Sequence, residues 1–505
     1  MWNRSRCLNA AKTTLTRLAT LLLLTALAAC VRPPDQVAQV GLASAPITLD
    51  PRYATDATSW RLCRLLFEAP AGFDAAFMPI PALMSWEQLG PRRYRFSLAG
   101  EHHFSDGTRV TTADVAATYR AVLDATLASP HRASLVNLAH IEILDANRLE
   151  FSLHQPDPLF PGLLVIGVMP AAAAGLPATA MPSVGSGPFV LAAPPSPKRY
   201  ALQRLRDGQR VDFVVVENET TRVLKLARGE LDLVQGNLAP ENVAWLARQP
   251  EIAVSRQAGS TFSYLGFNLA TGPTQAIEVR QAIALAIDRA AIVDHVLRGQ
   301  ARLAEAILVP EHWAGAPALA PLPHDPARSR ALLSAMGYQP SKPLRLSYKT
   351  SSDPLRLRIA AILQAQLAQV GIQMDIQSYD WGTFYADIKA GRFAVYGLSW
   401  VGLQLPDIFR YAFRSDSLPP AGANRGHYAS ATADALIDAA QASPELAARA
   451  ARYRELQDLL ARDLPYVPLW YEDFMVVQRT RLVGYQTNAS GDFDGLATVT
   501  LRPSP

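Results

Sequence analysis

The stretch that decides the fold is YRFSLAGEHHFSDGTRVTTADV, residues 94–115. Alternating side chains predict a strand from Arg93 to Leu98, and Asp106-Gly107 supplies the turn after it. Thr111 and Asp114 have the spacing of a capping box, in which the two side chains accept hydrogen bonds from backbone amides of a first helical turn. A strand, a turn and a helix are therefore predicted in that order.

Strands and helices alternate through the rest of the chain, which favours an α/β or α+β architecture. Caps and periodic apolar residues predict helices over Val279–Leu297, Asp325–Gly337 and Ile359–Val370, a strand over Gln373–Tyr379, and a last long helix from Ser443-Pro444 to about Arg462. The uncharged stretch Phe160–Pro182 is interrupted repeatedly by proline and glycine, so it does not suit a membrane-spanning helix. It predicts a buried strand over Leu163–Val168.

The composition is that of a globular protein. The chain has 505 residues, of which 49% are apolar and 18% charged, and this length corresponds to about two to four domains. Four of the 48 Lys and Arg residues precede residue 30, and the remaining 44 balance the 44 Asp and Glu residues. The mature chain therefore lacks the cationic surface of a nucleic-acid binder, and no nucleic-acid partner is expected.

The N-terminus has the features of a bacterial lipoprotein signal. Cations precede an apolar run from Leu18 to Ala29, which falls short of the roughly 20 residues that span a bilayer. The run ends in Leu-Ala-Ala-Cys at residues 27–30, which resembles a lipobox. We therefore predict a signal peptide over residues 1–29, a lipid on Cys30 and a tether over residues 30–36. The alternative is an ordinary cleavage site followed by a chance cysteine.

The sequence contains none of the common motifs that would indicate catalysis or metal binding. The chain has no G-x-S-x-G, no H-E-x-x-H, no phosphate-binding loop and no G-x-G-x-x-G after a strand. His102 and His103 are adjacent, and adjacent strand residues point to opposite faces, which disfavours a shared metal. Cys63 has no predicted partner and is expected to be a small buried residue. We expect no catalysis, no cofactor and no metal.

Residues 94–115 resemble the signature of the extracellular solute-binding proteins of family 5, the dipeptide, oligopeptide and nickel receptors of ABC importers. Other segments that resemble this family follow in order along the chain. They are Ile47–Pro51, Val184–Phe189, Arg228–Asp232, Tyr264–Asn268, Val279–Arg289, Ala331–Tyr338, Ser399–Trp400 and Leu464–Leu469. By the order and spacing of these segments behind a lipobox, the chain is identified as a member of the family.

The resemblance implies an α/β, two-lobed type II periplasmic-binding-protein fold with an extra subdomain inserted in the first lobe. Residues 37–268 would form the first lobe, with the insertion at about residues 63–182. Residues 269–467 would form the second lobe, and residues 468–505 would return to the first. The expected protein is a monomer on the periplasmic side of a membrane, held by its lipid anchor, that serves the transmembrane subunits of an ABC permease.

The resemblance also implies a peptide site between the lobes. The strand that ends at Ser399 and Trp400, with Gly402 just beyond it, would pair with the ligand backbone, and Trp400 would form an apolar wall. Many peptide-binding members have an aspartate where this chain has Leu403. The next acid, Asp407, is the candidate to hold the ligand ammonium instead. If it does not, ordinary dipeptides are expected to bind weakly, and longer, blocked or non-peptide ligands are favoured.

For the ligand carboxylate, Arg358 falls roughly where dipeptide-binding members have an arginine, and Arg356 is a rival. The remaining candidates are polar residues of the expected hinge strand and of a loop before a helix: Tyr264, Asn268, Asn424, Arg425 and His427. A structural role is the alternative for each of them.

The function predicted from these features is capture of short peptides for an ABC importer. A nickel chelate, an opine or another small amphoteric solute is the alternative ligand. An envelope peptide chaperone or sensor is the alternative role, and a hydrolase is disfavoured because no nucleophile and base arrangement is recognisable.

Overall fold

The computed structural model describes residues 37–177, 184–419 and 422–503. The predicted signal peptide, Cys30 and the tether lie outside these ranges. Within them, none of the helices has the length and apolar character needed to cross a membrane.

The strands of the described chain are mostly short, and two of them are long. They are β1 (Val37–Leu42), β2 (Ala71–Phe73), β3 (Pro79–Pro81), β4 (Met84–Gly90), β5 (Arg93–Leu98), β6 (Leu138–Ile143), β7 (Arg148–Leu153), β8 (Phe189–Leu191), β9 (Arg199–Arg204), β10 (Arg210–Val215), β11 (Leu233–Gln235), β12 (Ile252–Phe267), β13 (Ala301–Leu303), β14 (Leu344–Ser351), β15 (Ile372–Tyr379), β16 (Val395–Trp400), β17 (Tyr466–Arg479), β18 (Leu482–Val483) and β19 (Thr500–Leu501).

The helices lie between these strands. They are α1 (Ala57–Leu66), α2 (Thr112–Leu123), α3 (Ala171–Ala174), α4 (Glu219–Ala227), α5 (Pro240–Leu246), α6 (Ile277–Ala286), α7 (Arg289–Ala291), α8 (Pro326–Ala335), α9 (Pro354–Ala368), α10 (Trp381–Lys389), α11 (Ile408–Phe413), α12 (Ala431–Ala442) and α13 (Leu446–Asp463). A π-helical turn covers Ile292–Val296, and 3₁₀ turns cover Ala125–Leu127, Pro130–Leu135, Phe160–Leu163, Pro273–Gln275 and Asp494–Ala497.

One large mixed sheet organises the molecule, in the order β15-β14-β16-β12-β17-β11-β1-β10-β9-β8. The long strands β12 and β17 pair antiparallel along their length and join its two halves. We call the half around β1 and β8–β11 the first lobe, and the half around β14–β16 the second lobe. The pairing of β12 with β17 changes register between Gln257 and Thr261, at the junction of the two halves.

A separate antiparallel sheet, β4-β5-β7-β6, forms the subdomain with helix α2. Its core is aromatic, because alternate residues of the strands face the helix: Phe96 and Phe151 meet edge to face at 5.2 Å between ring centroids, and Tyr119 of α2 lies 6.2 Å from Phe151. All three side chains are fully buried. The subdomain therefore has a hydrophobic core of its own.

The local structure around residues 94–115 is confirmed. Strand β5 covers Arg93–Leu98, and the backbone amide of Thr111 donates to Oδ2 of Asp114 at 2.8 Å, as a capping box requires. The prediction at Asp325 is confirmed as well, since its carboxylate accepts from the amide of Arg328 at 2.9 Å and caps α8.

Three predicted elements are wrong in detail. The single helix predicted over Val279–Leu297 ends at Ala286, because the carboxylate of Asp288 accepts from the amide of Ala291 and starts a new short helix. Residues Leu163–Val168 are mostly buried, as predicted, but form no strand, since their backbone bonds go to turns and loops. The last helix starts at Leu446 rather than at Ser443, which instead caps the end of α12.

Candidate functional site

A cavity of about 580 Å³ lies between the lobes. One wall comes from the start of α1 and from the subdomain, with Ala54–Ala57, Trp60, Arg61, Phe73, His131, Ser134, Leu135, Gly162, Leu163, Val165 and Ile166. The facing wall comes from the loop after β16, with Val401, Gly402, Gln404, Leu405 and Asp407, and the C-terminal segment, which packs beside α1, adds Ser490 and Asp492. Such a volume suits a small ligand, since ligand pockets usually measure about 300 to 1,000 Å³.

The loop after β16 is shaped by its sequence. Gly402 has a φ of 69°, a backbone conformation that favours glycine, and it turns the chain away from the sheet directly after Trp400. The side chain of Gln404 then donates to Oγ of Ser490 at 2.9 Å, which ties the loop to the C-terminal segment. The loop therefore presents a fixed edge to the cavity.

Asp407 brings a carboxylate to this wall. It precedes α11 but makes no capping hydrogen bond with its side chain, and no described residue forms an ion pair with it. Water reaches the carboxylate from the cavity, but protein surrounds it, and this loss of solvation raises its pKa to about 6, with help from the nearby charge of Asp157. The backbone amide of Ile408 donates to the carboxylate, which still faces the cavity and can accept from a ligand.

Helix α1 supplies the charges of the opposite wall. Asp56 caps the helix through Oδ1, which accepts from the amide of Ser59 at 2.9 Å, while its Oδ2 is buried without a hydrogen-bond partner among the described residues. Arg61, just over one turn into the helix, has its guanidinium carbon 5.6 Å and 5.7 Å from the ring centroids of Phe474 and Phe493. In the described part of the chain no carboxylate forms an ion pair with Arg61.

Burial lowers the pKa of Arg61, an effect opposed by the charge of Asp492 nearby. A guanidinium nevertheless stays charged at neutral pH. Arg61 is thus a partly desolvated cation at the cavity wall, and such a group favours an anionic partner.

Behind the loop lies a buried aromatic cluster that holds the end of β16. The Arg425 guanidinium stacks 4.7 Å from the Trp400 ring, and its Nη1 donates to the Tyr264 hydroxyl at 3.3 Å. Tyr264 stacks in turn on Tyr466 at 4.0 Å, and burial raises its pKa far above the usual value. Tyr264, Trp400 and Arg425 therefore meet, as the prediction of one site requires, but only Trp400 adjoins the loop that lines the cavity.

The other predicted site residues have structural contacts. Asn268 donates to the carbonyl of Phe393 at 3.1 Å and accepts from the amide of Ala270, so it fixes the turn after β12. Asn424 is buried. Its Nδ2 donates to the carbonyl of Tyr428, and its Oδ1 accepts from the backbone amide of Tyr428. His427 is exposed with a φ of 57°, and Leu403 packs partly buried against the core of the second lobe.

The two candidate arginines lie outside the cavity. Arg358 pairs with Glu241 of α5 at 2.9 Å, a contact between the lobes in which both side chains are well exposed. Arg356 points to the junction of the lobes, where Nη2 donates to Oγ of Ser399 at 2.9 Å and to Oε1 of Glu472 at 3.1 Å. Among the described residues, no three His, Cys, Asp or Glu side chains come together where they could hold a metal ion.

Sequence reasoning missed Asp56 and Arg61. Both residues belong to the helix that follows Ile47–Pro51, a segment that resembles the family. An acid at an N-cap with a cation five residues later, next to a matched segment, was the available signal.

Comparison with known proteins shows the family to which the chain belongs. The model of the bacterial extracellular solute-binding proteins, family 5 Middle, matches residues 57–417, and the chain belongs to this family. The chain is 27% identical over 512 residues to di/tripeptide-binding protein 2 of Pseudomonas aeruginosa (strain UCBPP-PA14), a match that covers 93% of this chain and 96% of the relative. A probable deoxycholate-binding periplasmic protein of Escherichia coli (strain K12) is 25% identical over 512 residues and covers 91% of this chain and 92% of the relative.

Solved structures show the same fold. NikA from Brucella suis in complex with Fe(III)-EDTA superposes with a TM-score of 0.84 at 21% identity and covers 93% of this chain and 100% of its own. The oligopeptide-binding protein AppA from Bacillus subtilis, in complex with a nonapeptide, gives 0.79 at 20% identity, with 93% and 100% covered. These matches confirm the predicted α/β, two-lobed type II fold.

Proposed function

We propose that this protein captures short peptides between its lobes and delivers them, unchanged, to the transmembrane subunits of an ABC permease. One observation carries the proposal: the cavity between the lobes has the carboxylate of Asp407 on one wall and the guanidinium of Arg61 on the other, and neither forms an ion pair with any described residue. A peptide has one ammonium and one carboxylate, so the two walls complement its two ends. The name of the Pseudomonas relative, a di/tripeptide-binding protein, agrees with this class of ligand.

Arg61 takes the place that the sequence prediction gave to Arg358. A partly desolvated guanidinium binds a carboxylate through two parallel hydrogen bonds, and Arg61 has no competing acid within ion-pair distance in the described chain. Arg358 already has Glu241 as its partner and stands in solvent. Asp407 keeps the role that the sequence analysis gave it, as the group that receives the ligand ammonium.

The junction of β12 and β17 is the proposed hinge. The predicted lobe boundaries lie at Asn268 and Val467, but the register of the two strands changes earlier on β12, between Gln257 and Thr261. A Cβ on Gly259 would lie 2.2 Å from the carbonyl oxygen of Glu472, so the two backbones are in close contact here. Rotation about this point would open the cavity by separating its two walls.

The remaining parts of the proposal come from the sequence. We propose a monomer, exported by the signal peptide of residues 1–29 and tethered by a lipid on Cys30 to a membrane on the periplasmic side. More than one acyl chain would make this attachment stable.

Calorimetry with tri-alanine tests the ligand site. Arg61→Gln should weaken binding about 10-fold to 100-fold, because it removes hydrogen bonds to a charged group that contribute about 1.5 to 3 kcal/mol. Arg358→Gln is the matched control, since it makes the same change outside the cavity, and it should alter affinity by less than about 5-fold. A large loss in Arg358→Gln with none in Arg61→Gln would return the carboxylate site to Arg358, and failure of tri-alanine to bind the native protein would contradict the peptide assignment.

A further inference from the structure

The cavity has more negative than positive charge on its walls. Its carboxylates are Asp56, Asp407 and Asp492, and its fixed cation is Arg61. His131 adds no charge at neutral pH, because burial lowers its pKa and its Nε2 donates to the carbonyl of Ala54 at 3.1 Å. A peptide with one ammonium and one carboxylate would leave this excess of carboxylates unmatched.

Protein groups already engage Asp492. Its Oδ2 lies 3.6 Å from Nε of Arg64 and accepts from Nδ2 of Asn488 at 3.2 Å. If the ligand ammonium meets Asp407, as the proposed function has it, the carboxylate that remains without a cation is Asp56.

Asp56 has half of its hydrogen-bonding capacity unused. Oδ1 accepts from the amide of Ser59, but Oδ2 is buried and receives no hydrogen bond from any described residue. A carboxylate oxygen without a donor is unfavourable, and because Asp56 lines the cavity, a donor on a bound ligand would relieve this cost. Trp60, one turn along the same helix, also lines the cavity and offers an aromatic face of the kind that cations prefer.

We propose that the preferred ligand is a basic short peptide, whose Lys or Arg side chain meets Asp56 beside Trp60. This inference rests on the proposed function and refines it, because it assigns a third charged group of the ligand to a third position in the same cavity. The site would select for net positive charge in addition to the zwitterionic ends.

Three tripeptides that differ at one position test the inference: Ala-Lys-Ala, Ala-Gln-Ala and Ala-Glu-Ala, measured by calorimetry at pH 7. The lysine peptide should bind about 10-fold to 100-fold more tightly than the glutamine peptide, and the glutamate peptide should bind most weakly. Asp56→Asn should remove the preference for lysine. Asparagine is as good an N-cap as aspartate, so α1 should keep its cap.

Asp325→Asn is the matched control, because it makes the same change at the N-cap of α8, outside the cavity, and it should leave the preference intact. Equal affinities, tighter binding of the glutamate peptide, or a lysine preference that survives Asp56→Asn would overturn the inference while leaving peptide capture standing. If none of the three peptides binds the native protein, the proposed function fails and the inference fails with it.

Discussion

Peptide affinity should depend on pH through Asp407, and the direction of the effect follows from its surroundings. The protein that surrounds this carboxyl raises its pKa to about 6, and the groups that face it are Asp157 and Tyr453 on one side and the cavity charges on the other. A raised pKa means that the charge is present above pH 6 and is lost as the pH falls through that value. Only the charged form attracts an ammonium.

The size of the effect follows from the charged fraction. With a pKa of about 6, roughly nine-tenths of the carboxyl is ionised at pH 7 and roughly one-tenth at pH 5, so the apparent affinity should fall about 10-fold. The ends of tri-alanine keep their charges over this interval, because a free amine titrates near pH 8 and a free carboxyl near pH 3.5.

Calorimetry with tri-alanine at pH 7, 6 and 5 measures this dependence. Asp407→Asn should bind more weakly at pH 7 and should lose the dependence on pH. An affinity in the native protein that does not change between pH 7 and pH 5 would refute the assignment of the ammonium to Asp407. A slope that persists in Asp407→Asn would move the titrating group to another residue, with Asp157 as the first candidate, since burial raises its pKa as well.

Three further predictions concern closure, the hinge and the anchor. Glu241→Gln removes an exposed ion pair with Arg358 that contributes less than about 1 kcal/mol. It should increase the radius of gyration of the ligand-free protein in small-angle scattering and weaken peptide binding by at most about 5-fold. An unchanged radius of gyration would show that this pair does not hold the lobes together. Gly259→Ala should lower the free energy of unfolding by about 1 to 3 kcal/mol, since its Cβ would overlap the carbonyl of Glu472. Chemical denaturation measures this quantity. A free energy of unfolding equal to that of the native protein would contradict the close packing inferred there. Cys30→Ala should prevent acylation, as mass spectrometry of the membrane fraction would detect, and a mutant that stays membrane-bound and correctly processed would exclude the lipid anchor.

The local elements were predictable because their determinants lie close together in the sequence. The capping box at Thr111 and Asp114 and the cap at Asp325 involve residues three positions apart, so propensity and spacing were sufficient. The long helix predicted from Val279 failed because apolar periodicity continues through Ile287, and it does not reveal that the carboxylate of Asp288 starts a new helix. Periodicity records which residues are buried, and it does not record where the backbone changes direction.

The site was less predictable, because its two walls come from distant parts of the chain. Asp407 was predicted from its position after Trp400 and lines the cavity, but Arg61 faces the same cavity from more than 300 residues away. Arg358 was a reasonable expectation for a free cation until the structure gave it Glu241 as a partner. Whether a charge is free for a ligand depends on tertiary contacts, which neither composition nor spacing encodes.

The difference between charges that have protein partners and charges that do not also explains how the protein can release a bound ligand. Outside the cavity the exposed pair of Arg358 with Glu241 contributes little, while a tighter contact joins the subdomain to the second lobe, where Phe77 stacks on His312 at 5.3 Å between ring centroids. Inside the cavity, neither Arg61 nor Asp407 forms an ion pair with a described residue. A ligand that bridges them adds charge-assisted bonds only when both walls are close, so it shifts the population toward the closed state by its differential affinity for that state. Had evolution paired these two charges with protein groups, closure would be stronger without ligand and the ligand would have little influence on it.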